Sequence, residues 1–182
     1  MTNGETAIDS IETLAFVLED REDLDGAEPL LRELLIRRQR RAQFRVEQRQ
    51  LMLELGIEPT DRSSYAEIMA FIVARRLAGL LLARNHEGNV VEASELAERA
   101  LSGLRAQLGE DAKETLLALQ VHGRALAAKG ELDGAAEALR TALNGLMQLN
   151  GESAMALRCA RELEVVLHAQ LQAAHPALAP AA

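Results

Sequence analysis

Tryptophan is absent from this chain, and a single tyrosine and three phenylalanines are its only aromatic residues across 182 positions. A protein so poor in rings has no platform on which unpaired bases could stack, and a formal charge of −8 repels nucleic acid and anionic membrane alike. Cys159 stands alone, so no internal disulfide can form and an oxidising compartment gains no support. No apolar run is long enough to cross a bilayer. The opening MTNGETAIDSIETL lacks the basic region and apolar core of a signal peptide, so the expectation is a cytoplasmic protein with no membrane association. Proline is scarce, as are β-branched residues, and alanine, leucine, arginine and glutamate dominate. Such a composition predicts helix almost throughout, an all-α fold.

What the chain does have is internal repetition. Residues 24–35, LDGAEPLLRELL, return 108 residues later at 132–143 as LDGAAEALRTAL, with seven of twelve positions identical. A shorter period of about 42 residues relates Leu108-Gly109-Glu110 to the Gly151-Glu152 turn and Ala93 to Ala135. Each unit closes one helix, turns and opens another. One such unit cannot bury its own apolar face, so units must stack.

Apolar spacing at three and four residues predicts seven helices, at 8–20, 24–54, 64–84, 90–107, 112–128, 132–149 and 153–172. Gly56 followed by Pro59, Gly88 after Asn85, Gly109, Gly130 and Gly151 read as helix stops. Ser64 and Glu67 have capping-box spacing, and Asp111 with Glu114 is a weaker pair of the same kind. Pro29 falls in the opening turns of the second helix, where a missing amide hydrogen costs little.

The strings LDGAEPLLRELL, NVVEASELAERAL and ELDGAAEALRTAL, with the preceding TLAFVL, RLAGLL and HGRALA, resemble the tetratricopeptide repeat, in the long-helix form of kinesin light chains and many bacterial scaffolds. The resemblance implies an α-solenoid of about three antiparallel helix pairs plus a C-terminal capping helix, forming one domain over 1–175 with 176–182 as a disordered tail. It also implies that Ala15, Ala78 and Gly123 admit the partner helix closely and that Ala27, Ala93 and Ala135 begin the buried face of each second helix. Leu18, Leu81 and Leu126 would fill the space opposite Leu31, Ala97 and Leu139. Four departures stand out: Glu22 at the turn position that Gly130 holds later, extra residues around His86-Glu87-Gly88, Glu164 at the small position of the last helix, and 66 residues between Ala27 and Ala93. The last reflects a long second helix and a loop within 36–63, which would project from the solenoid or change its curvature.

Signals for chemistry are missing. There is no glycine-rich phosphate loop, metalloprotease helix or nucleophile elbow. His86, His122, His168 and His175 are scattered and Cys159 has no histidine at ligand spacing, so no metal or cofactor is expected. His122 reads as an interface residue and Cys159 as a small core residue. The acidic pairs Glu162 with Glu164 and Glu19 with Asp20 read as solvated charges rather than a general acid and base, and no catalytic residue is assigned.

Two surfaces are candidates for binding. Arg37, Arg41, Arg45 and Arg49 recur every four residues and form one stripe, either a solvated face or a dock for an acidic protein or a nucleic-acid backbone. The second follows from the resemblance. First helices of each repeat line a concave groove, which implies that Arg75, Arg76, Gln120, Arg124, Arg158 and Arg161 face it, with Asp9, Glu12, Phe16 and Glu19 on the corresponding face of the first helix, so that the groove runs from acidic to basic. Arginine suits bidentate capture of carboxylates. The resulting expectation is a non-enzymatic adaptor that binds a protein or acidic peptide through Arg75, Gln120, Arg124 and Arg161, with Phe16 and Leu82 adding apolar area and the arginines exposed. The alternatives are a self-associating homo-oligomer that joins the acidic first repeat to the basic groove, and a regulator touching nucleic acid through the arginine stripe.

Overall fold

The computed structural model describes residues 3–58, 63–84 and 87–175. Seven helices and no strand occur among them: α1 (Asn3–Asp20), α2 (Leu24–Glu54), α3 (Ser63–Ala83), α4 (Glu87–Leu108), α5 (Lys113–Ala128), α6 (Leu132–Asn150) and α7 (Ala154–Ala174). Pro59, His86 and the 176–182 tail lie outside the described residues, and so does the Ser64 side chain with its capping box. Each helix packs on the next in order, giving an α-solenoid of three antiparallel pairs capped by α7. Cα atoms of α3 and α5 come within 8 Å, as do those of α5 and α7. Those of α1 and α3 do not.

Small residues set the spacing within pairs. Ala15, Ala78, Ala27, Ala93 and Ala135 have no or almost no exposed surface, and Leu31, Ala97 and Leu139 are equally enclosed. At Gly123 a Cβ would lie 2.9 Å from Cγ of Leu139 and 3.3 Å from the Ala135 carbonyl oxygen, so only glycine lets α5 and α6 close to this distance. One apolar cluster runs from Ile8 through α2, α3 and α4 to Val121 and Ala125 of α5, and a second takes over from Leu116 of α5 through α6 to Val166 of α7. Helix α5 contributes to both clusters.

Several local expectations needed correction. α1 begins five residues earlier than its apolar spacing suggested, on polar residues. Gly88 is no stop: it sits in the first turn of α4, with α3 already ended at Ala83. Asp111 does not cap α5, whose N-cap is Ala112 with no side-chain bond. Instead Asp23 caps α2, accepting from the Gly26 amide at 2.9 Å, and Ser153 caps α7, accepting from Ala156 at 3.3 Å.

The long second helix is continuous from Leu24 to Glu54, but its last buried residue is Ala42. α1, at 18 residues, is too short to accompany the 31 of α2. The final dozen residues of α2, about 18 Å of helix, therefore run past α1 with Phe44, Val46, Leu51 and Leu53 exposed.

Candidate binding grooves

The polar residues on successive first helices meet one another. Glu12 of α1 pairs with Arg38 of α2 and lies 3.7 Å from Arg76 of α3, which also pairs with Glu19. Arg75 of α3 reaches Glu114 of α5 at 3.0 Å. On α5, Gln120 donates to Oε2 of Glu162 on α7 at 2.6 Å, and Arg124 lies 3.5 Å from the other carboxylate oxygen while donating to the Gly79 carbonyl at 3.3 Å. Carboxylates and guanidinium groups thus alternate as a ladder from α1 to α7. A parallel set ties α2 to its neighbours: Arg32 to Glu28 at 2.9 Å and to Glu92 at 2.5 and 2.8 Å, and Arg84 to Glu28 and Asp25. Hydrogen bonds from Arg32 hold the Glu28 and Glu92 carboxyls below their ordinary range.

The ladder changes the meaning of the residues singled out for binding. Arg75 is not exposed, since only 16% of its side chain meets solvent, and burial pulls its guanidinium down from the ordinary value against the pull of Glu114. Gln120 is buried. The repeat resemblance implies an open, solvated position for both, but each side chain is taken up by a carboxylate of another helix. Arg124 is half-buried, and Arg161 is exposed. Phe16 is 64% exposed on α1, two helices from the rest. The structure does bring Leu82, Arg124 and Glu162 together around a small hollow of about 190 Å³, completed by Ala127, Ala128, Leu139, Val165 and Val166. Val165 is 69% exposed at its edge. Arg158, Arg161 and Val165 follow at three and four residues, so they share one face of α7 beside this hollow.

Glu162 is the least settled charge of the set. Burial raises its pKa, the hydrogen bond from Gln120 and the charges of Arg124 and Arg158 opposing. Cys159, one turn earlier, is fully enclosed with its thiol on the Leu139 carbonyl at 3.4 Å, and burial pushes its pKa up to about 12. His122 is half-buried with Nδ1 lacking a partner, and burial lowers its pKa. No group of three or more His, Cys, Asp or Glu among the described residues is placed to hold a metal, and no described helix is long and apolar enough to cross a membrane.

The arginine stripe on α2 is partly neutralised. Arg37 pairs with Glu33 at 2.6 Å and Arg45 donates to Gln48 at 3.1 Å, while Arg41 and Arg49 are also engaged. Beside this helix lies a larger groove that the sequence reading missed, about 700 Å³, between the α2 overhang (Ala42, Phe44, Val46), the first half of α3 (Ala70, Phe71, Ala74) and Arg99 of α4. Its signal was present in the 66-residue spacing from Ala27 to Ala93: extra helix on one member of a pair leaves uncovered surface.

Comparison of the chain with protein families, with characterised proteins and with solved structures gives no match.

Proposed function

We propose that this chain is a non-enzymatic interaction scaffold of the tetratricopeptide type, and that it binds an acidic peptide or protein segment along the concave side at its C-terminal end. The observation that carries this reading is the hollow where Leu82 and Val165 offer apolar surface, Arg124 and Glu162 form the polar floor, and Arg158 and Arg161 stand exposed alongside. An apolar ligand side chain would enter the hollow while carboxylates on either side of it meet the α7 arginines. Arg75 and Gln120 support the groove from behind by fixing α5 against α3 and α7. Glu12 and Glu19 are held by Arg38 and Arg76 of the same chain, which leaves fewer carboxylates of the first repeat for the alternative of self-association through opposite charges.

A second reading places the partner in the larger groove beside the α2 overhang, where Phe44, Val46 and Phe71 supply apolar lining and Arg40 and Arg99 supply charge. Peptides selected from a random display library on the intact chain, then titrated by calorimetry, separate the two. The first reading expects acidic peptides with an apolar anchor whose binding is lost in Arg158→Glu with Arg161→Glu and kept in Arg40→Glu with Arg99→Glu, the two charges of the larger groove. The opposite pattern assigns the function to that groove.

A further inference from the structure

We infer that two copies of this chain pair through the outer face of α7 about a two-fold axis. Each earlier first helix has its outer face covered by the helix that follows it: Gly123 and Leu126 of α5 pack against Leu139, Ala135 and Gly134 of α6. The corresponding positions 41 residues on are Glu164 and Leu167, and no described helix follows α7. On that face Leu157, Ala160, Glu164, Leu167, Leu171 and Ala174 recur at alternating steps of three and four, the seam spacing of paired helices. Leu157 is 50% and Leu171 61% exposed, and a shallow trough of about 320 Å³ runs along Ala160, Glu164, Leu167, His168 and Leu171.

A second copy fits this seam because the seam is complementary to itself. Paired antiparallel about the point between Val165 and Val166, it sets Leu157 against Ala174 of the second copy, Ala160 against Leu171, and Glu164 against Leu167. Each layer holds one leucine and one alanine or glutamate, so the two helices keep an even separation along their length. Such self-matching is what a two-fold interface demands. The seam glutamate is not stranded: His168 of the second copy lies one position beyond Leu167 on the same flank, and this happens twice across the axis. Within one chain His168 Nε2 lies 2.9 Å from the neutral Gln172 amide nitrogen.

Pairing through α7 also leaves the concave side open, so one dimer would present two grooves.

Sedimentation velocity and light scattering on the full chain, from about 1 to 200 µM, a span chosen to bracket micromolar affinity, test the pairing. A monomer–dimer equilibrium is expected. Leu157→Glu with Leu171→Glu should give monomer at every concentration with unchanged helicity, and its melting temperature should match the parent's at concentrations where the parent is itself monomeric, since both side chains are exposed. His168→Glu sets two acids together and should weaken the dimer at least about tenfold. Adding Glu164→Lys to that variant should restore it, because each new lysine then meets a new glutamate across the axis. A parent that stays monomeric, a dimer indifferent to the leucine changes, or a charge swap that fails to restore pairing would each overturn the inference.

Discussion

Replacing Glu22 with glycine should stabilise the protein, and the structure supplies its own control. Glu22 ends the α1 turn at φ 59°, and Gly130 ends the α5 turn at φ 82°. The backbone hydrogen bonds of the two turns match, although Asp23 caps α2 through its side chain and Glu131 does not cap α6. In the first, the Asp23 amide reaches the Leu18 carbonyl at 2.9 Å and the Leu24 amide that of Glu22 at 3.0 Å; in the second, Glu131 reaches Leu126 at 2.9 Å and Leu132 reaches Gly130 at 2.9 Å. Both lead into Leu-Asp-Gly-Ala. A side chain in the left-handed region costs roughly 1–2 kcal/mol, while glycine gives back about 0.4–1 kcal/mol through a freer unfolded chain. The net gain for Glu22→Gly is about 0.5–1 kcal/mol, a rise in melting temperature of roughly 1–4 °C at 2–4 °C per kcal/mol for a chain of this size. Gly130→Glu should lose at least as much. Urea unfolding followed by far-ultraviolet circular dichroism is the suitable assay, because the chain has no tryptophan to report by fluorescence. A Glu22→Gly variant that melts at or below the parent temperature while Gly130→Glu is tolerated would refute the equivalence of the two turns.

Other outcomes follow from the buried charges. Glu12→Ala should destabilise by about 3 kcal/mol, because Arg38 is only 8% exposed and would lose its partner, whereas Asp25→Ala, at a side chain 84% exposed, should change urea midpoints little. Burial raises the Glu162 pKa above its ordinary 4.5, so the folded state holds that proton more tightly than the unfolded chain does. Its contribution is then full below about pH 4.5 and is lost as pH rises through the folded value. The stability of Glu162→Gln relative to the parent should accordingly climb as pH rises above that ordinary value, and a difference flat with pH would count against the assignment. Cys159, enclosed and with its thiol pushed up to about 12, should resist a thiol reagent at about pH 8 until the chain unfolds, so its labelling rate should track urea concentration as global unfolding does.

Helix number, order and the buried alanines were legible because helical spacing repeats a local rule: Ala27, Ala93 and Ala135 announce a close neighbour whatever that neighbour is. The ion-pair ladder was not. Arg75 and Glu114 are 39 residues apart and Arg76 and Glu19 are 57 apart, and nothing in either segment says that its polar face meets another polar face rather than water. The same blindness made Gln120 look like a contact residue when it serves as a strut for Glu162. Gly88 was misjudged for another reason: glycine is tolerated at both ends of a helix, and only the positions of its neighbours decide which end it marks.

The backbones of α3, α5 and α7 approach closely, and their mutual angles are set by packed atoms that cannot yield without opening voids. Between α1 and α3 there is no such approach, and Arg76 spans the gap to Glu12 and Glu19 with a long, rotatable stem. A tether of that kind tolerates several inter-helix angles without losing its partners. The spacing of the first helices is therefore fixed at the C-terminal end and adjustable at the end where Phe16 stands. A bulky ligand segment would find room beside Phe16, while the Leu82 hollow keeps its size for one particular side chain.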